Sequence, residues 1–412
     1  MKKGSHENTL FVSIDVGTSK ICVLIARQPI AQHLEIIGIG HAPSQGLARG
    51  VVVDISLAVQ SIKSALQEAQ FMANCTIDEV SIGISGAHIQ SRNSQGIVPV
   101  KNGVIKNSDI QNVLAAAQAI PIAEGHQVLH VLPQYYIIDG YHQVKDPLNM
   151  HGVRLEVQAH IITGSISSVH NLITCCEVAG VRVKDIVLEP LASGYAVLSE
   201  DERELGVAML DIGGGTSDLA VYYQGSMRYT KILPIAGNHF TSDIAICTRI
   251  TVKDAERIKM EFGVAHTSLA DKDAMIEVEM VQGETKKNIE SLLLAEILES
   301  RVCELLALVN DELSNATVQP MATAGLVFTG GGSLLKGLTQ TATHYLKIPS
   351  RIGYPRVPIL FKESLESPKY ATAYGILLYT AHKNNKINLD GMHGPLVSRI
   401  AYRMKTWVAD FF

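Results

Sequence analysis

The chain of 412 residues has a single tryptophan, six scattered cysteines and no large basic stripe. It also has no run of about 18 consecutive apolar residues, the length needed to span a bilayer. The start, Met1-Lys2-Lys3-Gly4-Ser5-His6-Glu7, has no signal-peptide core, so the expected compartment is the cytoplasm. There, Cys22, Cys75, Cys175, Cys176, Cys247 and Cys303, without Cys-x-x-Cys spacing, read as small apolar residues rather than disulfides or zinc ligands. A net charge of −5 and a pI near 6.3 exclude a general nucleic-acid binder. The Walker-A loop and the dinucleotide fingerprint are both absent. What remains is an ordinary globular composition, 47% hydrophobic and 18% charged, long enough for two or three cores.

Two aspartate-led loops stand out: Asp15-Val16-Gly17-Thr18-Ser19-Lys20 and Asp211-Ile212-Gly213-Gly214-Gly215-Thr216-Ser217-Asp218. Each lies between short apolar runs of strand character, so each is expected at a hairpin tip rather than at the start of a helix. Glycines there let backbone N–H groups approach phosphate oxygens, and the hydroxyls and Lys20 add donors. Asp15 and Asp211 would meet from opposite sides, an arrangement suited to a hydrated Mg2+ on a nucleotide's phosphates.

Along the chain, Asp54 should cap a helix running to Ala73, followed by a strand at Glu79 to Ile84. The pattern then changes from about 85 to 165: strands at Gly96 to Val100, Gln127 to Leu132, Tyr135 to Ile138 and Arg154 to Thr163 surround one helix, Asn107 to Ile120. This block reads as an inserted α/β subdomain. Beyond it, Asp243 to Gly263 reads as helical with Glu256 and Lys259 exposed, Asn288 to Leu313 as one long helix, and Ala324 to Phe328 as a buried strand entering Gly330-Gly331-Gly332-Ser333. The last core helix is expected from Tyr370 to His382, with a polar linker after it. His126 and His130, four apart in a strand-like run, read as structural histidines, and Ser333-Leu334-Leu335-Lys336 as a chance match to an acyl-enzyme signature.

Both aspartate loops, Glu189-Pro190 with its small-residue helix, Thr329-Gly330-Gly331-Gly332-Ser333 and Tyr370-Ala371-Thr372-Ala373-Tyr374-Gly375 follow the motif order of the actin, Hsp70 and sugar-kinase ATPase superfamily. Within it the chain most resembles the FtsA family of bacterial cell-division proteins over roughly residues 9 to 412, above all in Ser193 through Asp218. That resemblance implies an α/β, actin-like two-lobed ATPase fold of two ribonuclease-H-like domains, with an inserted α/β subdomain and a C-terminal amphipathic helix. The implied division is 8–84 with 166–205 for the first lobe, 85–165 for the insert, and 206–246 with 321–382 for the second lobe core. Residues 247–320 would form an upper subdomain, 383–394 a linker and 395–412 a membrane-targeting helix. ATP and Mg2+ are the implied cofactors. Gly17, Thr18, Ser19, Lys20, Gly213, Gly214, Gly215 and Thr216 would hold phosphates, with Mg2+ near Asp15 and Asp211 through water. Gly330, Gly331, Gly332 and Ser333 would back the adenosine, and Glu256 and Lys259 would flank base and ribose, a solvated charged face being the alternative for that pair. Glu189 stands where the superfamily positions the attacking water, or else simply favours the positive end of a helix. The resemblance further implies self-association into filaments, binding of the C-terminal peptide of the tubulin-like protein FtsZ on the subdomain from Cys247 to Pro320, and contacts with other division proteins; because that peptide is partly acidic, Lys287, Asn288 and Arg301 at the long helix are the expected contacts. Arg301 reads equally well as a surface arginine laid along an apolar helix.

In the tail, Val397, Ile400, Met404, Trp407, Val408 and Phe411 share one helical face, while Arg399, Arg403 and Lys405 lie toward the other. The 18 residues after Gly394 would make a helix about 27 Å long, suited to lying in the interface of an anionic phospholipid membrane. Docking on the protein's own body is the competing arrangement. The expected location is thus the cytoplasmic face of the inner membrane at the division septum. A small-metabolite kinase of the same superfamily is the alternative function, although no clear general-base aspartate is offered; a pilus-assembly actin-like ATPase is the third.

Overall fold

The computed structural model describes residues 9–28, 34–280, 286–314, 321–358 and 361–391. The first lobe begins with β1 (Thr9–Val16) and β2 (Lys20–Gln28), an antiparallel hairpin that sets Asp15 opposite Cys22, and continues into β3 (Glu35–Pro43). A small ribbon, β4 (Leu47–Ala48) and β5 (Val51–Val52), leads to α1 (Ile55–Ala73). Asp54 caps α1 as its sequence position predicts: its carboxylate accepts the Leu57 N–H at 3.0 Å, worth about 1 kcal/mol. Ala58, Ile62, Ala65, Leu66 and Ala69 fall three and four apart and bury one face of α1 on β3. The approach is close because Gly40 lies beneath: a Cβ there would stand 2.0 Å from the Ala65 carbonyl oxygen. Strand β6 (Glu79–Ile84) then pairs parallel with β1.

The insert comprises β7 (Gln90–Pro99), α2 (Asn107–Gln118), β8 (His126–Ile138), β9 (His142–Val144) and β10 (Arg154–Ser165), in the sheet order β7-β10-β8-β9. It has its own core, with Val113, Ala117, Ile138, Leu155 and Val157 buried. The two strands expected on either side of Pro133 are one strand. A bulge at Gln134, where Ala159 faces Pro133 but Gln158 faces Tyr135, absorbs the proline that cannot donate to the ladder.

The chain returns through α3 (Ile166–Ala179) to β11 (Arg182–Leu188), which completes the sheet β11-β6-β1-β2-β3, and then forms α4 (Glu189–Val197) and α5 (Glu200–Leu205). The second lobe repeats this plan. Strands β12 (Val207–Ile212), β13 (Ser217–Tyr223) and β14 (Ser226–Leu233) are antiparallel neighbours. Next come α6 (Gly237–Thr248), α7 (Val252–Phe262), the ribbon β15 (Met275–Glu279) and β16 (Lys286–Glu290), and α8 (Ser291–Leu313). Strand β17 (Leu326–Thr329) adds parallel to β12; α9 (Leu338–Leu346), β18 (Ser350–Ile352), α10 (Lys362–Leu365) and α11 (Ala371–Gly391) follow. The order β14-β13-β12-β17-β18 matches the first sheet in order and strand sense.

Three sequence expectations are corrected. The stretch 243–263 is not one helix: Arg249, with φ of 58°, turns the chain left-handed, and the Thr251 hydroxyl, accepting from the Asp254 N–H at 3.1 Å, starts α7 afresh. Asn288 does not open the long helix but stands with Lys287 on β16, where Asn288 pairs with Glu277 and Lys287 with Val278. Residues 383–391, expected as linker, carry α11 on to Gly391, there being no proline or glycine earlier in that stretch to stop it.

Candidate functional site

Both hairpin tips close by the same bond. The Gly17 N–H donates to the Lys20 carbonyl at 3.1 Å, and the Gly213 N–H to the Thr216 carbonyl at 3.0 Å. The tips meet across the cleft: a Cβ on Gly214 would stand 1.9 Å from Ser19 Oγ, and one on Gly215 2.5 Å from Thr18 Oγ1. The missing Cβ atoms leave room for the Ser19 and Thr18 hydroxyls to lie against the second tip. The first tip is further held by Thr18, whose hydroxyl accepts the Gly50 N–H at 3.1 Å. The second is held by α6, whose Gly237 and Asn238 N–H groups donate to the Gly213 and Gly214 carbonyls, both at 2.9 Å.

Between the lobes lies a cavity of about 460 Å3, within the range of small-molecule sites. Gly17 to Lys20, Gly213 to Thr216, Asp15, Asp211, Glu189, Glu256, Lys259 and Gly330 to Gly332 all line it. Ser333 does not line it; buried, its hydroxyl donates to the Gly330 carbonyl at 2.7 Å and shapes the glycine turn. Glu256 and Lys259 form a clamp in which Lys259 is shielded while the Glu256 side chain stays 42% exposed. The Lys259 ammonium donates to Glu256 at 2.6 Å, to the Thr241 hydroxyl at 2.9 Å and to the Gly237 carbonyl at 3.1 Å, and its side chain is only 13% exposed.

The floor is acidic. Asp15 and Asp211 end β1 and β12, are both buried, and have raised pKa values. Burial pushes Asp15 up to about 6, with Lys20 opposing and Asp211 adding to the rise. Asp211 rises through burial against bonds donated by Ser193 at 2.6 Å and Thr372 at 3.2 Å. Asp218, at the start of β13, is pushed up to about 7 by burial, although Ser85 donates to its Oδ2 at 2.6 Å; its Oδ1 has no partner. Glu189, the first residue of α4, is raised well above the carboxylate range by burial and by Asp15, Asp218 and Asp211. Crowding of four carboxylates in low dielectric disfavours their charged forms, and a bound cation would offset that.

Mg2+ and a nucleoside triphosphate fit this donor set. The unpartnered Asp218 oxygen and the raised carboxylates call for a cation. Among the described residues no three such side chains converge closely enough to coordinate a metal directly, so Mg2+ would be held through water and phosphate oxygens, as Mg2+ commonly is. Asp218, Ser85, Ser193, Asn238, Lys369 and Thr372 also belong to the site. Asp218 and Thr372 were visible as members of their motifs. Ser85, Asn238 and Lys369 carried no local signal, because tertiary contact alone brings them there.

Elsewhere, Lys287 and Asn288 are exposed and line a groove of about 310 Å3 with Met275, Leu293 and Glu296. Arg301 lies apart from that groove's lining: its guanidinium grips Asp243 at 2.5 and 2.8 Å and Glu304 at 2.5 Å. His130 is a structural histidine, its Nε2 accepting the Leu188 N–H at 3.0 Å. Val397, Ile400, Arg403, Met404, Trp407, Val408 and Phe411 lie outside the described residues.

Residues 208–375 match the family model for cell division protein FtsA, and residues 86–163 that for the SHS2 domain inserted in FtsA. Cell division protein FtsA of Pseudomonas aeruginosa is 40% identical over 414 aligned residues, covering 98% of each chain; that of Escherichia coli K12 is 36% identical over 415, covering 98% of this chain and 99% of its own. Among solved structures, the PilM–PilN type IV pilus biogenesis complex aligns with a TM-score of 0.67 at 18% identity, covering 90% of this chain and 99% of that one. MreB5 of Spiroplasma citri bound to AMPPNP aligns with a TM-score of 0.57 at 17% identity, covering 93% and 99%. At such identities these likenesses carry the fold alone, and that fold is actin-like with an SHS2 insert. The sequence relatives carry more: this chain belongs to the FtsA family of cell division proteins.

Proposed function

We propose that this chain is an ATP-binding, actin-like division protein that polymerises on the inner membrane, anchors FtsZ filaments there through its C-terminal amphipathic helix, and helps recruit later division proteins. The observation that carries the nucleotide part is the meeting of two glycine hairpins, Gly17 to Lys20 and Gly213 to Thr216, over buried Asp15 and Asp211. MreB5, solved with AMPPNP bound, has the same fold. Bound Mg2+ would neutralise charge on the β and γ phosphates. The chain's own part is to offer backbone N–H groups and Lys20 to the phosphates, and to hold the adenosine between the Gly330 to Gly332 turn and the Glu256–Lys259 clamp. Glu189 faces the same cavity, and as a carboxylate it could orient water toward the terminal phosphate, so hydrolysis at a low rate is the expected activity.

For the FtsZ C-terminal peptide, the exposed Lys287 and Asn288 on β16 are the better candidates. Arg301 is already neutralised by Asp243 and Glu304 and is a weaker one. For the membrane, one amphipathic helix binds reversibly, and several copies on a filament bind firmly through effective concentration. ATP would favour the self-associating form, and self-association would keep the tail on lipid. The test is co-sedimentation with anionic liposomes and ATP of the intact chain, of Trp407→Glu and of a chain ending at His393. Lipid pelleting by the intact chain alone is expected. If all three stay in solution, the anchoring role falls.

A further inference from the structure

We propose, on the reading of the cavity as a nucleotide site, that Lys369 is a second ammonium ligand for the nucleotide's polyphosphate, acting beside Lys20 and presented by the turn that starts α11. Lys369 lies in the single 3-10 turn Pro368–Tyr370, between a buried proline and a buried tyrosine. Lys369 lines the same cavity as both glycine hairpins. The Lys20 ammonium donates to the carbonyl of Lys369 itself. Both ammonium groups stand over the Tyr370 ring, Lys20 at 4.6 Å and Lys369 at 4.9 Å from its centroid. From the other lobe, a Cβ built on Gly331 would stand 4.0 Å from Lys369. Lys369 therefore sits where the first lobe's phosphate hairpin, the second lobe's glycine turn and the start of α11 come together.

The charges around it point to an anion. Among the described residues neither Lys20 nor Lys369 has a carboxylate oxygen within 4.0 Å, whereas Lys259 in the same cavity holds Glu256 at 2.6 Å. Two like charges on one aromatic ring repel each other, and the ring quadrupole offsets only part of that. His41, whose Nε2 lies 2.9 Å from the Tyr370 hydroxyl, is held below its ordinary pKa by burial and by both lysines, with Glu68 opposing. A polyphosphate presents oxygens on successive phosphoryl groups and can contact two ammonium groups that lack a carboxylate partner, whereas a nucleoside monophosphate presents a single phosphoryl group.

The test is fluorescence titration of the full chain with labelled AMP, ADP and ATP in Mg2+, comparing it with Lys369→Met, which keeps the side-chain stem, and Lys369→Arg, which keeps the charge. Loss of a charge-assisted contact should weaken ADP and ATP binding by about tenfold in Lys369→Met. AMP binding should stay within about twofold, and Lys369→Arg should restore ADP and ATP to within a few-fold. Equal weakening of all three nucleotides, or of none, overturns the role of Lys369. An unaltered chain that binds none of the three overturns the nucleotide reading itself, and this inference with it.

Discussion

Asp218 shows how far a single side chain in the cleft departs from its behaviour in water. Its ordinary pKa of 3.8 is raised to about 7, and that of Asp15 to about 6, chiefly by burial. An acid whose folded pKa lies above its unfolded one binds its proton more tightly when folded. These groups therefore cost no stability below about 3.8, and weaken the fold as pH rises through 6 and 7. Asp218→Asn, in metal-free and nucleotide-free protein, should thus raise the melting temperature at pH 8 by the equivalent of a few kcal/mol at most, with the gain fading toward pH ~4. Thermal unfolding across that range checks this; an unchanged or lower melting temperature at pH 8 would mean that the charge is already compensated. The same substitution should weaken Mg-dependent nucleotide binding, as expected where a site keeps charge that folding alone would discard.

Among the elements, α11 is the one on which the site depends most. It crosses α4 so closely that a Cβ on Gly375 would stand 1.9 Å from the Ala192 carbonyl oxygen, and its Thr372 bonds both Asp211 and, at 3.1 Å, Ser193. The obstacle is backbone on both sides and cannot swing away. Gly375→Ala should therefore destabilise the fold by about 3 kcal/mol or more despite the gain in helix propensity, and should weaken nucleotide binding by displacing Thr372. Urea unfolding and nucleotide titration measure the two effects, and a stability change below about 1 kcal/mol would show that the two helices can part at little cost. At this scale the sequence was legible wherever a signal was local. Asp54 predicted the start of α1 because a cap needs only its own next three residues. The start of α7 at Thr251, whose hydroxyl accepts the Asp254 N–H, is a signal of the same kind that the reading of 243–263 as one helix leaves out. Asn288 reads as the start of a helix because β16 is only five residues long and is defined by its pairing with β15, which a local pattern does not reveal.

For the molecule as a whole, the insert is bonded to the second lobe as well as joined to the first. Ser91 Oγ donates to the Thr230 carbonyl at 2.9 Å, Asn93 Nδ2 to the Arg228 carbonyl at 3.3 Å, and His160 lies between Asn93 Oδ1 at 2.7 Å and Thr230 Oγ1 at 3.2 Å. Burial lowers His160 and His130 from 6.5 to about 4. A base whose folded pKa is lowered contributes stability that is complete above about 6.5 and lost as pH falls toward 4. The histidines therefore oppose the cleft carboxylates, and the docking of the insert should loosen first in acid. Hydrogen exchange along β14 should rise between pH 7 and 5 beyond the intrinsic pH effect, and His160→Gln should reduce that rise. The same rise in both proteins would place the acid-sensitive contact elsewhere.

The sequence by itself determined the two hairpins, the cap of α1, the presence of the insert and the family, because each is written in neighbouring residues or in the order of motifs along the chain. Only the tertiary structure decided that Ser85, Asn238 and Lys369 share a site with Asp15 and Asp211, that Lys259 is shielded inside the cavity wall, and that Arg301 is spent on Asp243. The physical reason is distance along the chain. Ser85 and Asp218 are separated by 133 residues and Lys20 and Lys369 by 349, so their contacts exist only once distant segments of the chain have packed together around one cleft.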